Sequence, residues 1–169
     1  MLKNISWVLA IIVAAILQTT LPDGLKPQGV APDLTLLLVV YFAFNDGEER
    51  AMLTGLLGGL YLDVVGDFGL GHHVLSLVVV GYVAGKVSTR FITEHPAVKV
   101  GSVFMSALLQ GFIFTLILEI RSPDTNFFNT FLSSVIPGAF FTSVFTPIVF
   151  GLLQRIFHPY TRSVKRGYI

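Results

Sequence analysis

The sequence contains no cysteine and few charged residues. Cysteine is absent from all 169 positions, which excludes disulfide bonds and thiolate metal sites. Charged residues make up 12% of the chain, whereas roughly a quarter of a soluble globular domain is charged. Hydrophobic residues reach 53%, and the mean hydropathy is +0.77. The composition therefore indicates one integral membrane domain, and the net charge of +1 gives no indication of nucleic-acid binding.

Catalytic motifs are also missing. The chain has no G-x-S-x-G elbow, no Walker loop and no H-E-x-x-H pair. An intramembrane aspartyl protease needs two carboxylates that share one site. Asp63 and Asp67 are four residues apart, but the stretch VVGDFG is expected to break the helix between them. We therefore expect no enzyme, no metal and no other cofactor.

Charge-free stretches predict six membrane-spanning helices in an all-α, polytopic bundle. A bilayer core of about 30 Å requires about 20 helical residues, so the second and third spans are short. The first span resembles a signal peptide, but no small-residue cleavage site follows it. A re-entrant hairpin over 34–62 would bury the charged turn NDGEER at a cost of several kcal/mol, so two short spans are preferred. The predicted spans are 4–21, 31–45, 50–65, 72–91, 98–120 and 127–154.

Basic residues are distributed unequally between the two sides that this topology defines. Nine of the eleven lysines and arginines fall in the two tails and in the turns at 45–50 and 86–99. Only Lys26 and Arg121 fall on the opposite side. Because cytoplasmic loops carry the excess of positive charge, both termini are predicted to lie in the cytoplasm.

A row of small residues leads to one acid in the third span. Gly55, Gly59 and Asp63 are each four residues apart, so a helix places them on one face. Small residues in such a row allow another helix to approach closely in lipid. The row therefore directs Asp63 toward protein, where an ionisable group is a functional-site hypothesis by default.

The predicted topology collects polar side chains near the outer surface. Two interpretations stay open. In the first, these groups cap helices or lie in the headgroup region, as Asp33 after Pro32 would at a helix N-terminus. In the second, they line one pocket open to the outside, or they contact a partner. Adjacent histidines at 72 and 73 point apart on a helix, so we expect at most one in such a pocket. The candidate residues are Gln18, Asp33, Asp63, His73 and Glu119.

Small residues at helical spacing predict packing faces in the later spans. Gly81 and Gly85 form a small-xxx-small pair in the fourth span, and Gly138 lies in a similar row in the sixth. Ser102, Ser106 and Gln110 share one face of the fifth span. These faces pack either against the bundle itself or against the transmembrane helix of a partner.

The middle of the chain resembles the rod shape-determining MreD family. The resemblance rests on PDLTLLLVVYFAF at 32–44 and on GLLGGLYLDVVGDFGLGHHVLSLVVVGYVAGKV at 55–87. Gln18, before a Leu-Pro turn, also fits the family pattern. The matching positions in these two stretches are Pro32, Asp33, Gly55, Gly59, Leu60, Asp63, Gly69, Leu70, Gly71, Gly81, Tyr82 and Gly85.

The resemblance implies a function that composition and spacing do not. It implies a non-enzymatic scaffold in the elongation machinery of rod-shaped bacteria, which binds MreC and supports the regulation of peptidoglycan synthesis. MreB, RodA and a class B penicillin-binding protein would be further members of the complex, and membrane lipids would surround it. The bundle would also be similar to the substrate-binding subunits of energy-coupling-factor transporters. A small-molecule-binding transporter subunit is accordingly the alternative function.

Overall fold

A computed structural model describes residues 2–20, 31–66, 71–88, 95–121 and 126–157, which form six helices and no strand. The all-α class is thus confirmed for the described part of the chain. That each helix crosses a membrane stays a prediction. The helices are α1 (Leu2–Thr20), α2 (Leu34–Asn45), α3 (Glu48–Val65), α4 (His72–Ser88), α5 (Pro96–Arg121) and α6 (Phe127–Phe157).

Helix α2 is the core of the bundle. Residues 35–43 are all buried, and α2 contacts α1, α3, α4, α5 and α6. Its sequence of Leu, Val, Tyr and Phe has no polar face, so every side of the helix favours burial. Twelve residues extend only about 18 Å at 1.5 Å per residue. Helix α2 is therefore much shorter than a bilayer core. Its residues from Thr35 to Ala43 are buried, whereas Asn45 at its C-terminus is exposed.

Aromatic rings pack around the C-terminal half of α2. Tyr41 and Phe42 make edge-to-face contacts at a centroid distance of 5.4 Å. Phe150 of α6 contacts Tyr41 at the same distance, and Phe157 contacts Phe42 at 5.3 Å. These pairs fix the last helix against the central one.

Helices α3 and α4 pack closely because glycines line both sides of their interface. A Cβ added at Gly55 would lie 2.6 Å from the Leu77 carbonyl oxygen, and one at Gly59 would lie 2.7 Å from the Val74 nitrogen. From the other side, Gly81 faces the Ala51 backbone and Gly85 faces the Glu48 backbone. The four glycines therefore form one reciprocal contact within the bundle.

Helices α5 and α6 are the longest of the described helices. Residues 96–121 and 127–157 are the two described helices with sufficient length and hydropathy to cross a membrane, while α1, α2 and α4 contain shorter apolar stretches. A π-helical segment (Phe131–Val135) interrupts α6 near its start. Its Val135 side chain packs against Gly111 of α5, where a Cβ would clash. Gly138, in the next turn, is half-buried.

Large apolar side chains are exposed on five of the six helices. Examples are Ile5 on α1, Val64 on α3, Leu75 on α4, Ile120 on α5 and Phe128 on α6. A soluble monomer rarely exposes contiguous apolar patches beyond a few hundred Å². The outer surface thus matches an apolar environment, as the composition predicts.

We expect the α3–α4 contact to fail when one of its glycines gains a side chain. Gly81→Leu would place four carbons against the Ala51 backbone, which lies 2.9 Å from a Cβ at this position. Overpacking costs about 1–3 kcal/mol, so thermal unfolding in detergent should occur several degrees earlier. Gly151→Leu on α6 is the matched control because nothing lies within 4 Å of its Cβ position. Equal midpoints for the two variants would contradict the assignment.

Candidate functional site

The carboxylate of Asp63 caps the N-terminus of the following helix. Its Oδ2 accepts hydrogen bonds from the backbone N–H of Gly71 at 2.8 Å and of Val74 at 3.2 Å. Its Oδ1 accepts one from the backbone N–H of His73 at 2.8 Å. The first N–H groups of a helix have no intrahelical partner, and a carboxylate near them also meets the positive end of the helix dipole. One side chain of α3 thus satisfies three donors at the start of α4.

Two imidazole rings and a phenylalanine complete this group. His73 Nδ1 lies 2.9 Å from Asp63 Oδ1, which requires the Nδ1–H form to donate. The Asp63 side chain is 0% exposed and that of His73 is 20% exposed. Phe114 of α5 lies against both His72 and His73, with centroids 5.8 and 4.9 Å away. We call Asp63, Gly71, His73, Val74 and Phe114 the Asp63 cluster.

The expectation that at most one of the two histidines faces a pocket stays a prediction. Adjacent helical residues point in different directions, yet both rings reach the same Phe114 because this side chain lies between them. His72 is buried, whereas His73 is the histidine that joins the carboxylate.

A second polar group surrounds the N-terminus of α2. Asp33 Oδ1 accepts a hydrogen bond from the Leu36 N–H at 2.8 Å, which is the geometry of an N-cap. Its Oδ2 accepts one from Gln110 Nε2 of α5 at 2.7 Å. The Asp33 N–H donates to Thr142 Oγ1 of α6 at 3.0 Å. Gln18 Oε1 of α1 accepts from both the N–H and the hydroxyl of Thr35, each at 3.1 Å.

These contacts account for every backbone donor at the start of α2. Besides the bonds above, the Leu34 N–H donates to the Pro32 carbonyl and the Leu37 N–H to the Asp33 carbonyl, both at 3.1 Å. Residues 33–37 therefore leave no unpaired N–H, as an apolar surrounding demands. Side chains from α1 and α6 contribute to this result, and Gln110 of α5 donates to the capping carboxylate. We call Gln18, Asp33, Thr35, Gln110 and Thr142 the Asp33 cluster.

The sequence candidates thus fall into two clusters. Gln18 and Asp33 belong to one, and Asp63 and His73 belong to the other. Glu119 lies half-buried near the end of α5, and neither cluster as defined includes it. Asp67 lies outside the described residues. Both acids of the two clusters act as helix caps, which is one of the two interpretations left open by the sequence.

Sequence reasoning did not identify Gln110 and Thr142 as partners of Asp33. The sequence places Gln110 on a packing face of α5, and Thr142 lies four residues after Gly138 in the row of small residues on α6. A lone amide in an otherwise apolar stretch of α5 is the signal that marks Gln110, because a buried amide requires partners. Its partner is 77 residues distant in the chain, so spacing within one helix does not reveal it.

The opposite end of the bundle carries cations. Lys86 forms an ion pair with Glu48 at 2.9 Å, and its Nζ lies 5.6 Å from the centre of the Tyr82 ring. The Arg50 guanidinium lies 5.0 Å from the centre of the Trp7 ring, whose Nε1 donates to Thr54 Oγ1 at 2.9 Å. We call this the basic end, and the end with Asp33 and Asp63 the carboxylate end. Ser88 Oγ at the basic end donates to the Ala43 carbonyl oxygen, so the C-termini of α2 and α4 both lie at this end.

A cavity of about 540 Å³ lies between α4 and α5. Its lining begins at Val80 and Leu109 and extends to Val87 and Val98 at the basic end. The residues of the two clusters do not line it, so a pocket at the carboxylate end stays a prediction. Among the described residues, no group of three or more histidines and acids is placed to hold a metal ion.

One of the comparisons with known proteins gave a match, and this match is to a protein family. A family model described as rod shape-determining protein MreD matches residues 1–156. The comparisons with curated proteins and with solved structures gave no match. The expected similarity to energy-coupling-factor subunits is therefore not supported by any solved structure and stays a prediction.

We expect Asp63→Leu to destabilise the bundle more than Asp63→Asn. The leucine removes the acceptor of three backbone donors and of His73, and each unsatisfied buried donor costs about 1–3 kcal/mol. Asparagine keeps one acceptor oxygen, so its loss should be about half as large. The measurement is thermal unfolding in detergent together with hydrogen exchange at residues 71–75. Glu49→Gln, an exposed acid at the basic end, is the control. Wild-type protection in Asp63→Leu would show that the cap is dispensable.

Proposed function

Because the chain belongs to the MreD family of rod shape-determining membrane proteins, we propose that it is a non-enzymatic scaffold that binds MreC in the cell-elongation machinery. In this role it supports the regulation of peptidoglycan synthesis, with MreB, RodA and a class B penicillin-binding protein as further members of the complex. The observation that carries the proposal is the use of the two acids at the carboxylate end. Asp33 and Asp63 both accept hydrogen bonds from backbone N–H groups at helix N-termini. They thereby fix the positions of the helices, as a scaffold requires.

A fixed bundle suits a protein that presents a surface to others. The Asp33 cluster joins four helices, and the Asp63 cluster joins α3 to α4 with Phe114 of α5 against it. Together they link all six helices through hydrogen bonds or ring contacts at the carboxylate end. Buried polar networks with every member satisfied favour one arrangement of helices. A partner would therefore meet a preformed surface.

The charge distribution supports six crossings of the inner membrane with both termini in the cytoplasm. Among described residues, Arg50, Lys86, Lys99 and Arg155 lie in or next to the first or last turn of a helix at the basic end. Arg121 ends α5 at the carboxylate end. Positive charge marks the cytoplasmic side, and aromatic side chains such as Trp7 and Tyr82 at the basic end are typical of a membrane interface.

MreC would contact the carboxylate end or the helix faces next to it. The Asp63 side chain is fully buried, so it acts by positioning α4, whereas His73 is partly accessible. Around it, Val64 and Leu75 expose apolar surface on the facing helices. An apolar helix with a small number of polar contacts would match this surface.

The topology can be tested because the chain has no cysteine. Glu49→Cys and Asn126→Cys place single thiols at exposed positions of opposite ends. In cells with a permeabilised outer membrane, a membrane-impermeant maleimide should label Asn126→Cys. It should label Glu49→Cys only after the inner membrane is opened. Labelling of both thiols from the same side would contradict the six-span arrangement.

The partner can be tested by affinity purification from native membranes. We expect the wild-type chain to recover MreC, and Asp63→Leu to recover it at least several-fold less because the start of α4 shifts. Asp63→Asn should recover an intermediate amount or more. The same variants are introduced into cells that lack their own copy, where Asp63→Leu should yield rounded cells.

Two controls make these outcomes interpretable. Membrane abundance of each variant is measured, so that loss of insertion is separated from loss of binding. Glu49→Gln should bind MreC and maintain rod shape as the wild type does. Failure of the wild-type chain to recover MreC would refute the proposed role, and normal MreC recovery with normal shape in Asp63→Leu would refute the role of the cap.

A further inference from the structure

The cavity between α4 and α5 is a groove that opens on the side of the bundle. Its walls include Val83, Val87, Gly101, Met105 and Leu109. Met105 is 64% exposed, and nothing lies within 4 Å of the position of a Cβ on Gly101. The groove is thus open to the surroundings of the bundle along α5, and its walls are almost wholly apolar.

Positive charge lies at the mouth of this groove. Lys86 precedes the wall residue Val87, and Lys99 follows the wall residue Val98. Lys99 is three residues before Ser102, another wall residue, and therefore shares its helix face. Glu48 pairs with Lys86, whereas no ion pair joins Lys99 to an acid in the described part of the chain. Lys99 therefore supplies a positive charge beside the groove that no described acid neutralises in an ion pair.

We propose that the groove binds an anionic phospholipid, with an acyl chain between α4 and α5 and the phosphate at Lys99. An apolar slot that ends in a lysine complements a molecule that is apolar along its length and negative at its head. Basic pockets between transmembrane helices on the cytoplasmic side bind anionic lipid headgroups by this combination. The inference rests on the topology proposed above and does not depend on MreC.

Charge favours a lipid over the transmembrane helix of a partner. The transmembrane helix of a partner would carry its own basic residues at its cytoplasmic end, and these would lie at the same mouth. A phosphate group is attracted there instead.

The test reconstitutes the purified full chain in nanodiscs that contain equal amounts of phosphatidylglycerol and phosphatidylethanolamine. Lipids retained after gentle release are counted by native mass spectrometry. We expect about a five-fold preference for phosphatidylglycerol, the factor that one lysine near an anionic surface supplies. Lys99→Gln should abolish this preference, and Lys99→Arg should keep it. Arg155→Gln removes a charge from another helix at the same end and should have no effect.

A second pair of variants tests the slot itself. Gly101→Leu fills the open wall, and Gly151→Leu adds the same side chain on α6, where a Cβ also meets nothing within 4 Å. Gly101→Leu should lower lipid retention several-fold, and Gly151→Leu should not. Equal retention of the two lipids by the wild type, or full retention in Gly101→Leu, would overturn the proposal. Loss of MreC with unchanged lipid in Gly101→Leu would instead assign the groove to a partner helix.

Discussion

The arrangement of the bundle depends on the backbone N–H groups at the start of α2, because each of them needs a hydrogen-bond acceptor. This helix is about 18 Å long and contacts the five other helices, so the backbone donors at its N-terminus lie within the bundle. In an apolar medium every N–H needs a partner from the protein. Asp33, Gln18 and Thr142 supply those partners from three elements of the chain. The positions of α1, α5 and α6 are therefore tied to one helix end.

The backbone donors at the start of α4 are paired in a different way, through the close contact between α3 and α4. Glycines bring the two backbones together, and this proximity allows the carboxylate on the last turn of α3 to reach the first turn of α4. Close packing and capping thus depend on each other, since a wider separation would take Asp63 away from the donors. The pair behaves as one unit against the central helix.

The sequence was informative where a signal lies within one helix. The row of Gly55, Gly59 and Asp63 predicts a close helix contact and an acid that faces protein, and Pro32 before Asp33 predicts a helix start. The pairing of Gln110 and Thr142 with Asp33 had no such signal, because these partners are 77 and 109 residues away. Periodicity identifies the face of a helix but not the neighbour that it meets. For the same reason the sequence does not predict the groove between α4 and α5, although Ser102 and Ser106, which line it, share one face of α5.

The distances along the chain within the Asp33 cluster determine an order of assembly. At 5–20 residues per second, a ribosome makes Gln110 about 4–15 s after Asp33, and Thr142 later still. During that interval the Asp33 carboxylate lacks the donor from Gln110, and the Asp33 N–H lacks the acceptor from Thr142. The Asp33 cluster is therefore complete only when translation has reached Thr142, in the last third of the chain.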